Sequence, residues 1–150
     1  MFNIDISELT KLKAQVKERI DTEVTKVVRD LSYEIIDDIV FSFRAPVSSG
    51  SYVMGHRLGL DVQDLTPPVV LPLYQSPRTR AGISLKAKAR AFRYPMNKKV
   101  IISNQVPYNM NIEYIGWEST PPYGTFRLAH EAAKMSAQHR CYLAAQKIAL

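Results

Sequence analysis

The sequence predicts an α+β domain built from a long N-terminal helix, a twisted antiparallel β-sheet and a C-terminal helix. Three observations carry that prediction. Apolar residues recur at steps of three or four from Ile6 to Phe43, which is a helical period. Two stretches in the middle of the chain, 83–94 (ISLKAKARAFRY) and 99–103 (KVIIS), read as extended strands. The segment after Thr125 is rich in alanine and free of glycine and proline, as a helix requires.

Length and composition set the frame. A chain of 150 residues supports one domain with a real core, and its 46% apolar and 23% charged content is that of a folded globular protein. No apolar run approaches the roughly 18–20 residues that cross a bilayer, so no membrane partner is expected. The first ten residues, MFNIDISELT, lack a basic region followed by an apolar one and do not read as a secretory signal. The single cysteine, Cys141, cannot form an intrachain disulfide or a cysteine-based zinc site, and fits a reducing compartment. The net charge of +6 is concentrated in the middle third, because no Asp or Glu occurs between Leu65 and Ile112.

The N-terminal helix, placed within residues 1–45, carries its stripe through Leu9, Leu12, Val16, Ile20, Val24, Val27, Leu31, Ile35 and Ile39. Val28, Ile36 and Val40 widen it near the C-terminal end, where burial should be deepest. About 37 helical residues span about 55 Å, whereas a domain of this size is about 40 Å across. Either the helix breaks near Ile20–Asp21 and folds back, or its tip, with Leu9, Leu12 and Val16, packs on a neighbouring subunit. The second reading is favoured, and it implies a homo-oligomer.

Residues 46–104 are assigned to the sheet. Pro46 and Gly50 end the helix, and Ser51–Asp61 follows as a strand in which Gly55 and Gly59 mark bulges. The proline-rich loop 64–80 carries Val69, Leu71, Leu73 and Tyr74, which pack back on the sheet or dock on a partner. In 83–94, Lys86, Lys88 and Arg90 alternate with Leu85, Ala87, Ala89 and Ala91, giving a half-buried strand with a basic face. That face, with Arg93, is either solvated or turned toward an anionic partner such as DNA. A small basic nucleic-acid-binding module is therefore the alternative reading of the chain. Aromatic residues are not interleaved as a base-stacking platform would need.

Residues 105–124 form a helical turn after Pro107 and an aromatic loop holding Trp117 and Tyr123. These two pack the sheet against the C-terminal helix (125–148) or against a neighbouring subunit, with Gly116 and Gly124 permitting the turns. His56 has no second ligand at metal spacing, and His130 and His139 are nine apart. No phosphate-binding loop, nucleophile elbow or paired-cysteine motif is present. No catalytic, cofactor-binding or metal-binding residue is assigned, and an enzyme is not expected.

Two separated stretches resemble the tail-completion, or neck, proteins of tailed bacteriophages. Ala45-Pro46-Val47-Ser48-Ser49-Gly50-Ser51-Tyr52 is similar to that family's passage from a long helix through Ala-Pro-Val and a short polar pair into Gly. Asn104, Pro107-Tyr108, Glu113-Tyr114, Gly116-Trp117, Pro122, Gly124 and Arg127 resemble its Asn-x-x-Pro-Tyr, Glu-Tyr-Gly-Trp and Pro-x-Gly signature. The chain departs from the pattern at Ile115, an extra residue, and at Ser48-Ser49, where an acidic residue and threonine are commoner. The resemblance implies a virion protein assembled as a ring, commonly of six copies, at the head–tail junction. It implies connector or adaptor and tail-tube or sheath proteins as neighbours. It further implies non-specific contact with DNA in the channel, and passage through the host cytoplasm during assembly.

Overall fold

The computed structural model describes residues 7–41, 50–68, 76–94, 97–116, 122 and 124–149. The apolar stripe forms one helix, α1 (Ser7–Phe41), of 35 residues and about 52 Å. It does not break at Ile20–Asp21. A short helix α2 (Ser51–Met54), strand β1 (His56–Leu60), helix α3 (Pro77–Ala91) and strand β2 (Val100–Asn104) follow. A π-helical turn (Asn111–Ile115) and helix α4 (Thr125–Ala149) complete the order. The described chain is mostly helical, with one two-stranded antiparallel sheet, an arrangement compatible with the α+β class.

α3 and α4 both run antiparallel to α1. For α3, Lys86 reaches Asp37 while Tyr94, just past the helix, shares backbone hydrogen bonds with the Thr25 hydroxyl. For α4, Ser136 meets Glu34 while Lys147 and Ile148 lie beside Arg19 and Thr22. The core sits at one end, where Ile36, Ile39 and Val40 of α1 meet Tyr52, Val53, Leu58, Leu85, Ala89, Val106 and Ile112. Burial deepens toward the C-terminal end of α1, as the widened stripe predicts, and Ser7–Arg19 is exposed throughout.

The sheet is smaller than expected. Ser51–Met54 is a helical turn rather than the start of a strand, and only His56–Leu60 pairs with Val100–Asn104, from His56↔Asn104 to Leu60↔Val100. Neither glycine marks a bulge. Gly55 is the turn residue after α2, and Gly59 sits in register opposite Ile101. A Cβ on Gly59 would lie 2.0 Å from the Val62 carbonyl, so the following turn requires glycine there.

The largest correction concerns 83–94. This segment is not a strand but most of helix α3, which starts inside the expected proline-rich loop. Ser76 caps it, its side chain accepting from the Thr79 amide at 3.5 Å, and Pro77 takes the first helical position, where a missing N–H costs nothing. Ala81, Leu85 and Ala89, four apart, form the buried stripe. Lys86 and Lys88 consequently point about 200° apart rather than the same way.

Exposed Ala87 discriminates the two assignments. In a helix, Ala87→Gly lowers stability by about 1 kcal/mol and Ala87→Val by roughly 0.5 kcal/mol. In a strand, valine would stabilise. Urea unfolding midpoints of the two variants are the measurement, and a more stable Ala87→Val protein would contradict the helix.

Candidate functional site

The two ends of α1 differ in what they present. At the N-terminal end, α4 stops alongside residues 15–23 of α1, so the two turns Ser7–Ala14 project past it. Leu9, Leu12 and Val16 are 66%, 55% and 42% exposed. At steps of three and four they form one ridge on one face. Lys11, Lys13, Lys17 and Arg19 surround it, all exposed.

At the other end, α1 presents acids. Asp30 and Glu34 share Arg140 of α4, at 3.4 Å for Asp30, and the Ser136 hydroxyl donates to Glu34 at 2.8 Å. Lys86 of α3 pairs with Asp37 at 2.6 Å and lies 5.8 Å from the centre of the Tyr33 ring. Desolvation first, then the charges of Asp37 and Glu34, hold Asp38 above the usual carboxylate range. A groove of about 300 Å³ between α1 and α4 is lined by Glu34, Asp37, Asp38, Ala132, Ala133 and Ser136. Leu128 and Met135, four before and three after Ala132, continue that wall of α4 and are exposed, Met135 by 81%.

A buried polar cluster fixes how these elements meet. The Glu113 carboxylate, 3% exposed, accepts from the Tyr52 hydroxyl through one oxygen and from the Phe126 amide at 2.9 Å through the other. It thereby joins α2, the π-helical turn and the first turn of α4, where a negative charge also suits the helix dipole. Burial first, then Glu113, pushes the Tyr52 hydroxyl pKa up, so it stays a donor. The His56 ring stacks on Phe126 at 5.2 Å, and its Nδ1 donates to the Val53 carbonyl at 2.9 Å. That bond selects the Nδ1–H tautomer and leaves Nε2 a bare, buried acceptor. Burial lowers the His56 pKa to about 4 from an ordinary 6.5. Asn104 closes the cluster, donating to the Tyr52 carbonyl at 2.8 Å and accepting from the Val106 amide at 3.0 Å. Gly116 and Gly124, at φ 84° and 61°, take the left-handed turns expected of them.

The basic residues do not converge on one surface. Lys86 is committed to Asp37 and Lys88 to Asp64. Arg90 and Arg93 are exposed. Lys88, then the Thr66 hydroxyl and amide, hold Asp64 below the usual carboxylate range. Arg57 donates to the carbonyls of Thr66 and Pro67, and these contacts moor the start of the proline-rich loop to the sheet. Val69, Leu71, Leu73 and Tyr74 of that loop lie outside the described residues, as do Trp117 and Tyr123. Sequence reasoning placed the tip ridge but missed the acidic groove and the Leu128–Met135 wall. The seven-residue spacing of Leu128, Met135 and Tyr142 was the available signal.

Among the described residues, no group of three or more His, Cys, Asp or Glu is arranged to hold a metal ion, and no helix is long and apolar enough to cross a membrane. No protein-family model matches the chain, and neither a curated protein nor a solved structure matches it.

Two outcomes follow from the buried cluster. His56 binds its proton less well folded than unfolded, so between pH 6.5 and pH 4 the unfolded state takes up more protons. Its neutral burial therefore contributes fully above pH 6.5, and about 3 kcal/mol is lost as pH falls to 4. Urea unfolding at pH 7 and pH 4.5 should show most of this loss, and His56→Gln should flatten the slope; an unchanged slope would refute the assignment. Glu113→Ala leaves the Tyr52 hydroxyl and the Phe126 amide unpaired and should cost roughly 2–4 kcal/mol, with Glu113→Gln milder. A Glu113→Gln protein as stable as the original would show that the second acceptor is not needed.

Proposed function

We propose that this protein is a structural subunit of the neck of a tailed bacteriophage. It assembles as an oligomeric ring, six copies being the common number for such proteins, that joins or completes the tail around the DNA passage. The observation that carries the reading is the exposed ridge Leu9, Leu12 and Val16, on a tip that no other described element covers. Covering each of these residues is worth roughly 1–2 kcal/mol at its present exposure, and ring closure multiplies that term by the number of contacts. The likeness of 45–52 and 102–128 to the neck-protein signature supplies the particular assembly. Connector or adaptor and tail-tube or sheath proteins are then the neighbours, and the virion is the location.

The nucleic-acid alternative is weakened by the fold. The charges meant to form a basic face are spread around α3, and Lys86 and Lys88 are already paired with acids. Contact with DNA is retained here only as the non-specific contact of a channel wall.

Light scattering of the purified chain should give a closed oligomer, alone or on addition of a neighbouring virion ring. Imaging of assembled particles should place it at the head–tail junction. A chain that remains monomeric and binds neither connector nor tail tube would contradict the proposal.

A further inference from the structure

We infer that the basic, apolar tip of α1 docks in the acidic groove between α1 and α4 of a second copy of this chain. The inference rests on the ring reading above and names its contact.

Charge complementarity selects the occupant. The tip and the exposed turn that follows it, residues 7–19, carry Lys11, Lys13, Lys17 and Arg19 against Glu8 and Glu18. The groove is lined by Glu34, Asp37 and Asp38, with no basic residue in the lining. Arg140 and Lys86 neutralise part of this charge from its edges. Asp38 keeps an exposed side beside Asp37 and Glu34, whose charges add to desolvation in raising its pKa, so an added cation relieves repulsion there. A second hollow, lined by Ser76, Thr79, Arg80, Ile83 and Ser84, has no acid in its lining to attract this tip.

The apolar parts match in spacing as well as in kind. Leu9, Leu12 and Val16 span seven residues of helix, and so do Leu128, Ala132 and Met135, about 10 Å in each case. Two such ridges interdigitate at ordinary helix–helix distances, with small Ala132 opposite a larger side chain.

One chain cannot make this contact with itself. The tip and the groove lie on the same unbroken helix, about 25 residues or about 38 Å apart. The contact therefore joins two copies, tip of one to groove of the other, either reciprocally across a two-fold axis or head to tail. Repetition of the head-to-tail contact closes into a ring when the rotation between copies allows, and otherwise runs on as a filament.

The test is sedimentation velocity on the full chain, with helix content followed by circular dichroism. A tip variant (Lys13→Glu) and a groove variant (Asp38→Lys) change only exposed positions of α1. Each alone should weaken self-association at least tenfold, and Leu12→Ser should do the same without a charge change. An equimolar mixture of tip and groove variants should restore assembly to within a few-fold of the original, because each reversed tip then meets a reversed groove. Oligomers that persist unchanged in both variants would overturn this contact and leave the ring reading standing. A mixture no better than its components would also overturn it. An original chain that stays monomeric at its highest soluble concentration would overturn it together with self-assembly of the purified chain, while the junction location is judged separately by particle imaging.

Discussion

An uninterrupted helix of 35 residues is longer than any other described element of the chain, and most of the molecule's character follows from that mismatch. α4, at 25 residues, covers about 37 Å of the roughly 52 Å that α1 spans. Packing and burial gather at the C-terminal half of α1, where Ile36, Ile39 and Val40 are fully enclosed. The N-terminal half keeps a helical apolar ridge, and no described sheet or helix covers its tip. A ridge of this kind gains free energy only by association.

The orientation of α4 decides what the opposite end presents, and Glu113 sets that orientation. By accepting from both Tyr52 and the Phe126 amide, its carboxylate fixes where the first turn of α4 begins relative to α2 and the sheet. From that start α4 runs back along α1, bringing Arg140 and Ser136 to Asp30 and Glu34. The small side chains Ala129 and Ala133 let the two helices approach closely. The groove beside Asp38 is thus a consequence of a buried hydrogen-bonded carboxylate elsewhere, and His56, stacked on Phe126, stiffens the same junction.

What was legible in the sequence tracks how strongly local pattern and tertiary context agree. α1 and α4 could be read because long periodic segments without Gly or Pro leave little alternative. β2 could be read from its β-branched run. α3 was misread because Lys86-Ala87-Lys88-Ala89-Arg90 alternates as a strand would, and because Pro77 resembles a loop residue. The steps Ala81, Leu85, Ala89 and the Ser76-Pro77 start carried the opposite signal, and packing on α1 decided for it. The tip ridge was visible from residue spacing and helix length alone. The acidic groove was not, since it joins α1 to a helix some 95 residues later in the chain, and the partners of Lys86 and Lys88 lie 49 and 24 residues away. The buried cluster was invisible for the same reason: Tyr52, Glu113 and Phe126 share no motif.

The central claim is that the tip of α1 is unfinished in one chain and completed by another. Amide hydrogen exchange of residues 9–16, followed against protein concentration, addresses it directly. The amides there should exchange rapidly in dilute solution, as in a frayed solvated helix end, and become strongly protected as the protein assembles, together with those around Ala132. Exchange at 9–16 that stays equally fast in the assembled and the dilute protein would contradict the account.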